Sequence, residues 1–279
     1  MSTQEIVVPV DWTPKSLAAL APARVLAEQT GRALHMVSVI PREASSAERE
    51  RALEQAARDY SITKPRITVL KADLSNVAIG EHEGSLRGML DESPESLVCM
   101  STHARSAVGD MLLGSVANDL LRQLGRPIVL AGPRLSADWQ GPLNMVIVCL
   151  DGSELSEAII EPAVDMAKET GAQLFLTQAQ EPESTHTALT QDASESGYLQ
   201  RKATEILKQY GVQANWDVLH GRNPARAITE YVSGFPGAMV AMTTHGRTGL
   251  RKLALGSVAR DVVHDIHCPV LAYTPVDQA

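Results

Sequence analysis

The chain has 279 residues, of which 44% are hydrophobic and 21% charged, a balance that allows a sizeable core and excludes wholesale disorder. A formal net charge of −8, with no basic cluster larger than Arg247, Arg251 and Lys252, excludes the electrostatic footprint of a duplex-binding protein. Aromatic residues, at 4%, are too few for a stacking platform on single-stranded nucleic acid.

In chain order, short apolar or β-branched runs predict strands over residues 5–10, 33–40, 66–72, 96–101 and 127–131, with helical patterns between them. The charge-rich run 45–59, "SSAERERALEQAARD", reads as a helix with a solvated face. Ser115 is a candidate N-cap for a helix whose apolar face is Val116, Leu120, Leu121 and Leu124. "GPRLSADWQGPLN", 132–144, reads as a linker. Strands are then predicted over 145–150, 173–179, 215–220, 237–243 and 269–273, and the polar stretch 181–197 reads as a loop leading into a helix. Ser257, with Val258, Val262, Val263 and Ile266, repeats the cap and the apolar face.

The second set is a copy of the first. "IVVPVDWTPKS" at 6–16 matches "VIVCLDGSELS" at 146–156, at an offset of 140, and "MSTHARS" and "LLGSVAND" match "MTTHGRT" and "ALGSVARD" at 142. Two domains, 1–135 and 144–279, follow. Alternating strands and helices make each an α/β unit, so the expected architecture is two tandem doubly wound (Rossmann-like) domains, each with a five-stranded mainly parallel sheet.

Open parallel sheets bind ligands beyond the carboxyl ends of their strands, where the strand order reverses. Three features converge there in each copy: an Asp after the first strand (Asp11, Asp151), the turn after the fourth (Met242 to Gly246), and a Gly-Ser pair opening a helix (Gly114-Ser115, Gly256-Ser257). A helix N-terminus offers unpaired N–H groups and partial positive charge to an anion. Each Gly-Ser is equally readable as a plain helix start, and each Asp as a helix cap. "GDMLLGSV", 109–116, lacks the Lys of a phosphate-binding Walker loop.

These residues together resemble the universal stress protein family: Asp after strand one, the "TTHG" turn, nine residues, then "GS" and a terminal "CPVLAY" strand. The resemblance covers both copies. It implies an adenine-nucleotide site, for ATP or a related nucleotide with Mg²⁺ as an optional companion, formed in domain 2 by Asp151, Ala179, Met242, Thr243, His245, Gly246, Gly256, Ser257 and Val258. The weaker counterpart in domain 1 is Pro9, Asp11, Val39, Met100, Ser101, His103, Gly114, Ser115 and Val116. Ser101 and Ala104 replace both early glycines of the family motif in domain 1, whereas domain 2 replaces only the first, by Thr243. Domain 2 is therefore expected to hold nucleotide better.

No catalytic residue is assigned. His103 and His245 have no sequence-visible nucleophile or acidic orienter beside them, so any ATP hydrolysis is expected to be slow. "HDIHC", 264–268, lacks the second ligand group of a metal centre, and no metal site is assigned. Cys99, Cys149 and Cys268 form no CxxC pair and read as reduced core thiols. The amino-terminal stretch has no basic segment before a long apolar run, so a soluble, cytoplasmic chain is expected. Two functions compete. One is a regulatory, stress-response module that binds adenine nucleotide. The other is a nucleotide-independent interaction protein built as an internal pseudo-dimer, whose halves, as the family resemblance implies, would pair through their last strands, with a homodimer as a further option. An unidentified protein partner belongs to both readings; nucleic acid and membrane belong to neither.

Overall fold

The computed structural model describes residues 4–11, 13–72, 85–102, 114–136, 139, 141–180, 188–245 and 255–275. The first domain runs β1 (Glu5–Pro9), α1 (Leu20–Thr30), β2 (Ala33–Pro41), α2 (Ser46–Asp59), β3 (Arg66–Ala72), α3 (Leu86–Asp91), β4 (Leu97–Ser101), α4 (Ser115–Gln123) and β5 (Ile128–Ala131). The second runs β6 (Met145–Leu150), α5 (Glu154–Glu157), α6 (Ile160–Thr170), β7 (Gln173–Gln180), α7 (Ala188–Tyr210), β8 (Ala214–His220), α8 (Pro224–Val232), β9 (Ala238–Thr243), α9 (Ser257–Asp265) and β10 (Val270–Tyr273). Every predicted strand is present within two residues of its expected ends. Inner strands such as β1, β5 and β9 are buried on both faces, as their runs of apolar residues require in a parallel sheet covered by helices, whereas the outermost strands β3 and β8 are partly exposed.

Within each domain the strand order is 3-2-1-4-5 and all neighbours are parallel. The order reverses between β1 and β4, and between β6 and β9. The two sheets join through β5 and β10, which pair antiparallel to give one ten-stranded sheet. Val129 lies opposite Leu271, and these two residues are equivalents in the repeat, 142 positions apart. Leu130 likewise faces Val270 and Ile128 faces Ala272, so the junction is self-complementary in the manner of a twofold dimer contact. Joining the last strands removes two edges that would otherwise expose unpaired backbone.

One core packs α1, α2, α6 and α7 on one face, with Leu20, Leu26, Leu53, Val164 and Leu199 buried in it. The other packs α3, α4, α8 and α9 on the opposite face, around Leu90, Leu120, Ile228 and Val262. Because β10 runs against β5, the carboxyl ends of the two sets of strands open toward opposite edges of the sheet. The helix that follows each first strand stops at Gly31 or Gly171, where φ of 71° or 72° supplies the left-handed turn back into the second strand. Across the junction Gln29 bonds both polar backbone atoms of Leu143, at 2.7 and 3.0 Å, and the carbonyl of Thr170 at 3.0 Å, tying α1 to the connecting segment.

Two local expectations need correction. The stretch from Ala188 to Gly197, expected in a loop, is the start of α7; its Ala, Leu, Gln and Glu are good helix formers and Gly197 is its only glycine. Residues 181–187 lie outside the described residues. The charged run over 45–59 is indeed α2, capped by Ser45, but Arg49 within it is buried at 5% exposure rather than solvated.

Candidate functional site

The carboxyl edge of each domain is shaped by the same local bonds. Asp151 Oδ1 accepts from the backbone N–H of Ser153 at 2.9 Å and from its hydroxyl at 2.6 Å, and Asp11 Oδ1 accepts from Thr13 in the same way at 2.7 and 2.6 Å. Each Asp therefore shapes the turn that leaves the first strand, and in domain 2 the cap of the next helix is Ser153, whose Oγ accepts from Ser156 N–H at 3.1 Å. The helix-cap reading of the aspartates is thus displaced by two residues.

At the end of the fourth strand the chain leaves and returns to the same point. Thr244 N–H donates to the carbonyl of Tyr273, and the Thr244 carbonyl accepts from Gly256 N–H at 2.7 Å. Thr102 makes the equivalent bonds, from its N–H to Ala131 and from Gly114 N–H to its carbonyl at 2.9 Å. These threonines clasp strand end to helix start, and sequence reasoning did not single them out; the signal was their recurrence at the 142-residue offset. The clasp sets α9 beside the end of β9, next to the β6 end that carries Asp151.

Ser115 and Ser257 are not N-caps. The caps are Gly114 and Gly256, in extended conformation, with no side-chain cap bond at either helix, and the serines occupy the first helical position with exposed side chains. Gly256 has φ of −66°, so it is not required for an unusual backbone angle. It suits a close approach instead: a Cβ there would stand 3.3 Å from the Thr244 carbonyl oxygen, a tight contact. The result is a helix start with N–H groups left for an outside acceptor.

The remaining candidates divide by side chain. Met100 and Met242 are 4% and 6% exposed and bury their side chains in the second core, as Val39 and Ala179 pack against it, so these positions offer backbone to the crevice. Thr243, where the family motif has glycine, is 5% exposed and turns its hydroxyl onto the His245 carbonyl at 2.8 Å. His245 is oriented by a 3.1 Å contact between Nδ1 and Thr244 Oγ1, which also meets Thr274 Oγ1 at 2.9 Å. Pro9 ends β1, Ser101 ends β4 at 9% exposure, and Val116 and Val258 take the second position of their helices. His103, Ala104, Gly246 and the basic cluster Arg247, Arg251 and Lys252 lie outside the described residues.

With this geometry in place, comparison with known proteins is decisive. The model of the universal stress protein family matches residues 2–131 and again 144–274. The chain belongs to that family. A family member from Methanocaldococcus jannaschii is 28% identical over 135 residues, 45% of this chain and 79% of the relative. Another, from Mycobacterium tuberculosis strain H37Rv, is 29% identical over 191 residues, 66% of this chain; the match spans 63% of that relative's length. The crystal structure of a universal stress protein from Archaeoglobus fulgidus superposes with a TM-score of 0.68 at 17% identity, covering 98% of this chain and 99% of the other, which shows the shared fold. Both halves of the chain thus match the family, and the tandem doubly wound architecture is shared with that archaeal structure.

Other polar clusters are structural. His264 Nδ1 meets Asp265 at 2.9 Å while His267 Nδ1 meets the Arg134 carbonyl at 3.0 Å, and among the described residues no group of three or more His, Cys, Asp or Glu is placed to hold a metal ion. The three cysteines are free thiols, and burial pushes Cys149 up to about 11, Cys268 up to about 12 and Cys99 further still, so all stay protonated near neutrality. No described helix is long and apolar enough to cross a membrane.

Proposed function

We propose that the chain is a regulatory module that binds ATP or another adenine nucleotide at the carboxyl edge of its second domain, with phosphates on the start of α9 and the nucleoside toward Asp151 and Ala179. One observation carries this reading. The uncapped N-terminus of α9 is held by the Thr244 to Gly256 bond against the β6/β9 reversal, the place where doubly wound sheets receive nucleotides. Family membership and the nine-residue spacing between Gly246 and Gly256 support it. Ser257 adds an exposed hydroxyl donor, and Mg²⁺ bound with the nucleotide would neutralise phosphate charge. The reading is one of binding, with any turnover expected to be slow.

A single observation favours the second reading, an interaction protein independent of nucleotide. The β5 and β10 strands pair into a twofold junction by themselves, with no ligand needed to complete it. Thermal melting with millimolar ATP and Mg²⁺ separates the two. Binding to the native state alone raises stability by RT ln(1 + [L]/Kd), so an upward shift that grows with ATP supports the module, and a flat titration supports the interaction protein. Mass spectrometry of small molecules released from freshly purified, denatured protein should show an adenine nucleotide.

A further inference from the structure

The two domains treat one position at the carboxyl end of their second strands in opposite ways. In domain 1, Ser38 of β2 donates to the Val10 carbonyl at 2.7 Å and accepts from Arg49 Nε at 2.7 Å. Arg49 Nη2 donates to Val10 at 3.0 Å and to the Asp11 carbonyl. A cation from α2 thus reaches across β2 and supplies the donors for the acceptors where β1 turns out of the sheet.

Gln178 of β7 stands where Ser38 stands, 140 residues on, and pairs with Val218 as Ser38 pairs with Val69. Strand alternation puts it on the face of Leu174 and Leu176, beneath α7, as Ser38 shares the face of Leu34 and Met36 beneath α2. Among the described residues no guanidinium meets it. Tyr198 and Lys202 of α7 are engaged with Glu157 instead, at 2.9 and 2.8 Å. Gln178 is 7% exposed, and its Oε1 is buried with no hydrogen-bond partner. Buried acceptors in native proteins are almost always paired, so an orphan one beside a ligand crevice calls for a donor from outside the chain.

We infer that Gln178 Oε1 receives an amino group of the bound ligand, the exocyclic 6-amino group of an adenine base, and so makes domain 2 select 6-amino purines. The inference rests on the adenine-nucleotide reading. The donor is placed on the nucleoside because Gln178 neighbours Ala179 at the end of β7 and pairs with Leu150, the residue before Asp151, whereas the phosphate end lies at α9 across β6 and β9. In domain 1 the chain's own Arg49 already occupies the corresponding acceptor, so selection there has no equivalent.

The test is a thermodynamic cycle between the amino group and the side chain, measured by calorimetry on the full chain. The probes are ATP and its analogue with hydrogen in place of the 6-amino group; the variant is Gln178→Met, close in volume to the original. Wild type should prefer ATP by about tenfold, the worth of one neutral hydrogen bond in a desolvated site. Gln178→Met should bring the two affinities to within about twofold, chiefly by weakening ATP. An unchanged preference in the variant, or an equal loss for both probes, overturns the assignment and leaves a structural role for Gln178. If wild type binds neither probe, the adenine-nucleotide reading itself falls, and this inference with it.

Discussion

The two ends of the ten-stranded sheet are built to one plan and finished differently. At the junction the equivalents Val129 and Leu271 face one another at 0% and 1% exposure, and both helix starts are clasped by a threonine carbonyl to a glycine N–H. At the crevices the likeness stops. Domain 1 locks its first turn with buried Arg49, whereas domain 2 ties α7 to Glu157 and leaves Gln178 Oε1 unmet. Toward the amino ends of the strands, away from the crevices, His35 of β2 sits in a polar set with Glu5, Thr68 and Arg66, where its equivalent Phe175 of β7 makes tilted ring contacts with Tyr231 and Phe235. Duplication kept the parts that make the sheet and the helix starts, and let the two carboxyl edges diverge, which is the pattern expected if only one edge retains a ligand.

The sharpest way to break this comparison is at the junction, where the domains should behave alike. Val129→Asp and Leu271→Asp each bury an unpaired carboxylate in the sheet centre, and each should cost about 4 kcal/mol or more by denaturant unfolding. Clearly unequal costs would show that the halves are not equivalent even at their shared contact. The next effect should be one-sided. Arg49→Met removes the buried guanidinium donors to the Val10 and Asp11 carbonyls and to Ser38 Oγ, at about 3 kcal/mol of stability, while nucleotide affinity in domain 2 stays within about twofold. A variant that loses nucleotide binding along with stability would contradict the separation of the two crevices. Gly256→Val drives a side chain against the Thr244 carbonyl and into the path proposed for the phosphates, so adenine-nucleotide affinity should fall by about 10- to 100-fold, the range that overpacking of a close contact gives. Undiminished affinity would remove the start of α9 from the site.

Much of this frame was legible in the sequence because a repeat doubles every signal. The strands and the two-domain plan follow from hydrophobic runs and turn residues that recur in the second copy, whereas the pairing of the last strands was implied by the family resemblance. What stayed hidden is what does not recur. Arg49 lay in a run of charges whose period gives no sign that one of them is buried, because its partners, two backbone carbonyls and Ser38, are distant in sequence. Gln178 reads as an ordinary polar residue near a strand end until its burial is known. The caps were shifted by one residue because Gly and Ser are both good N-caps, and only the Thr244 to Gly256 bond, which closes across a long excursion, decides between them.

The smallest expected effect is a pH dependence confined to domain 1. Burial, opposed by the hydrogen bond to and charge of Glu5 and reinforced by Arg66, lowers the proton affinity of His35 below its ordinary value of 6.5. In the unfolded chain His35 titrates near 6.5, whereas in the folded chain it takes a proton only at lower pH, so below 6.5 the unfolded state binds more protons. Stability should therefore fall as pH drops from about 6.5 and level off once the folded imidazole is also charged, with a slope no steeper than about 1.4 kcal/mol per pH unit, that of one proton. Phe175 contributes nothing of this kind in domain 2. His35→Phe, which copies domain 2 into domain 1, should lower stability at pH 7 by removing the contacts to Glu5 and Thr68, yet flatten the profile between pH 7 and 5 when urea midpoints are compared across that range. Parallel profiles for wild type and variant would mean that the imidazole is not what carries the dependence, and the contrast between a polar and an aromatic packing at this position would then have no consequence for proton linkage.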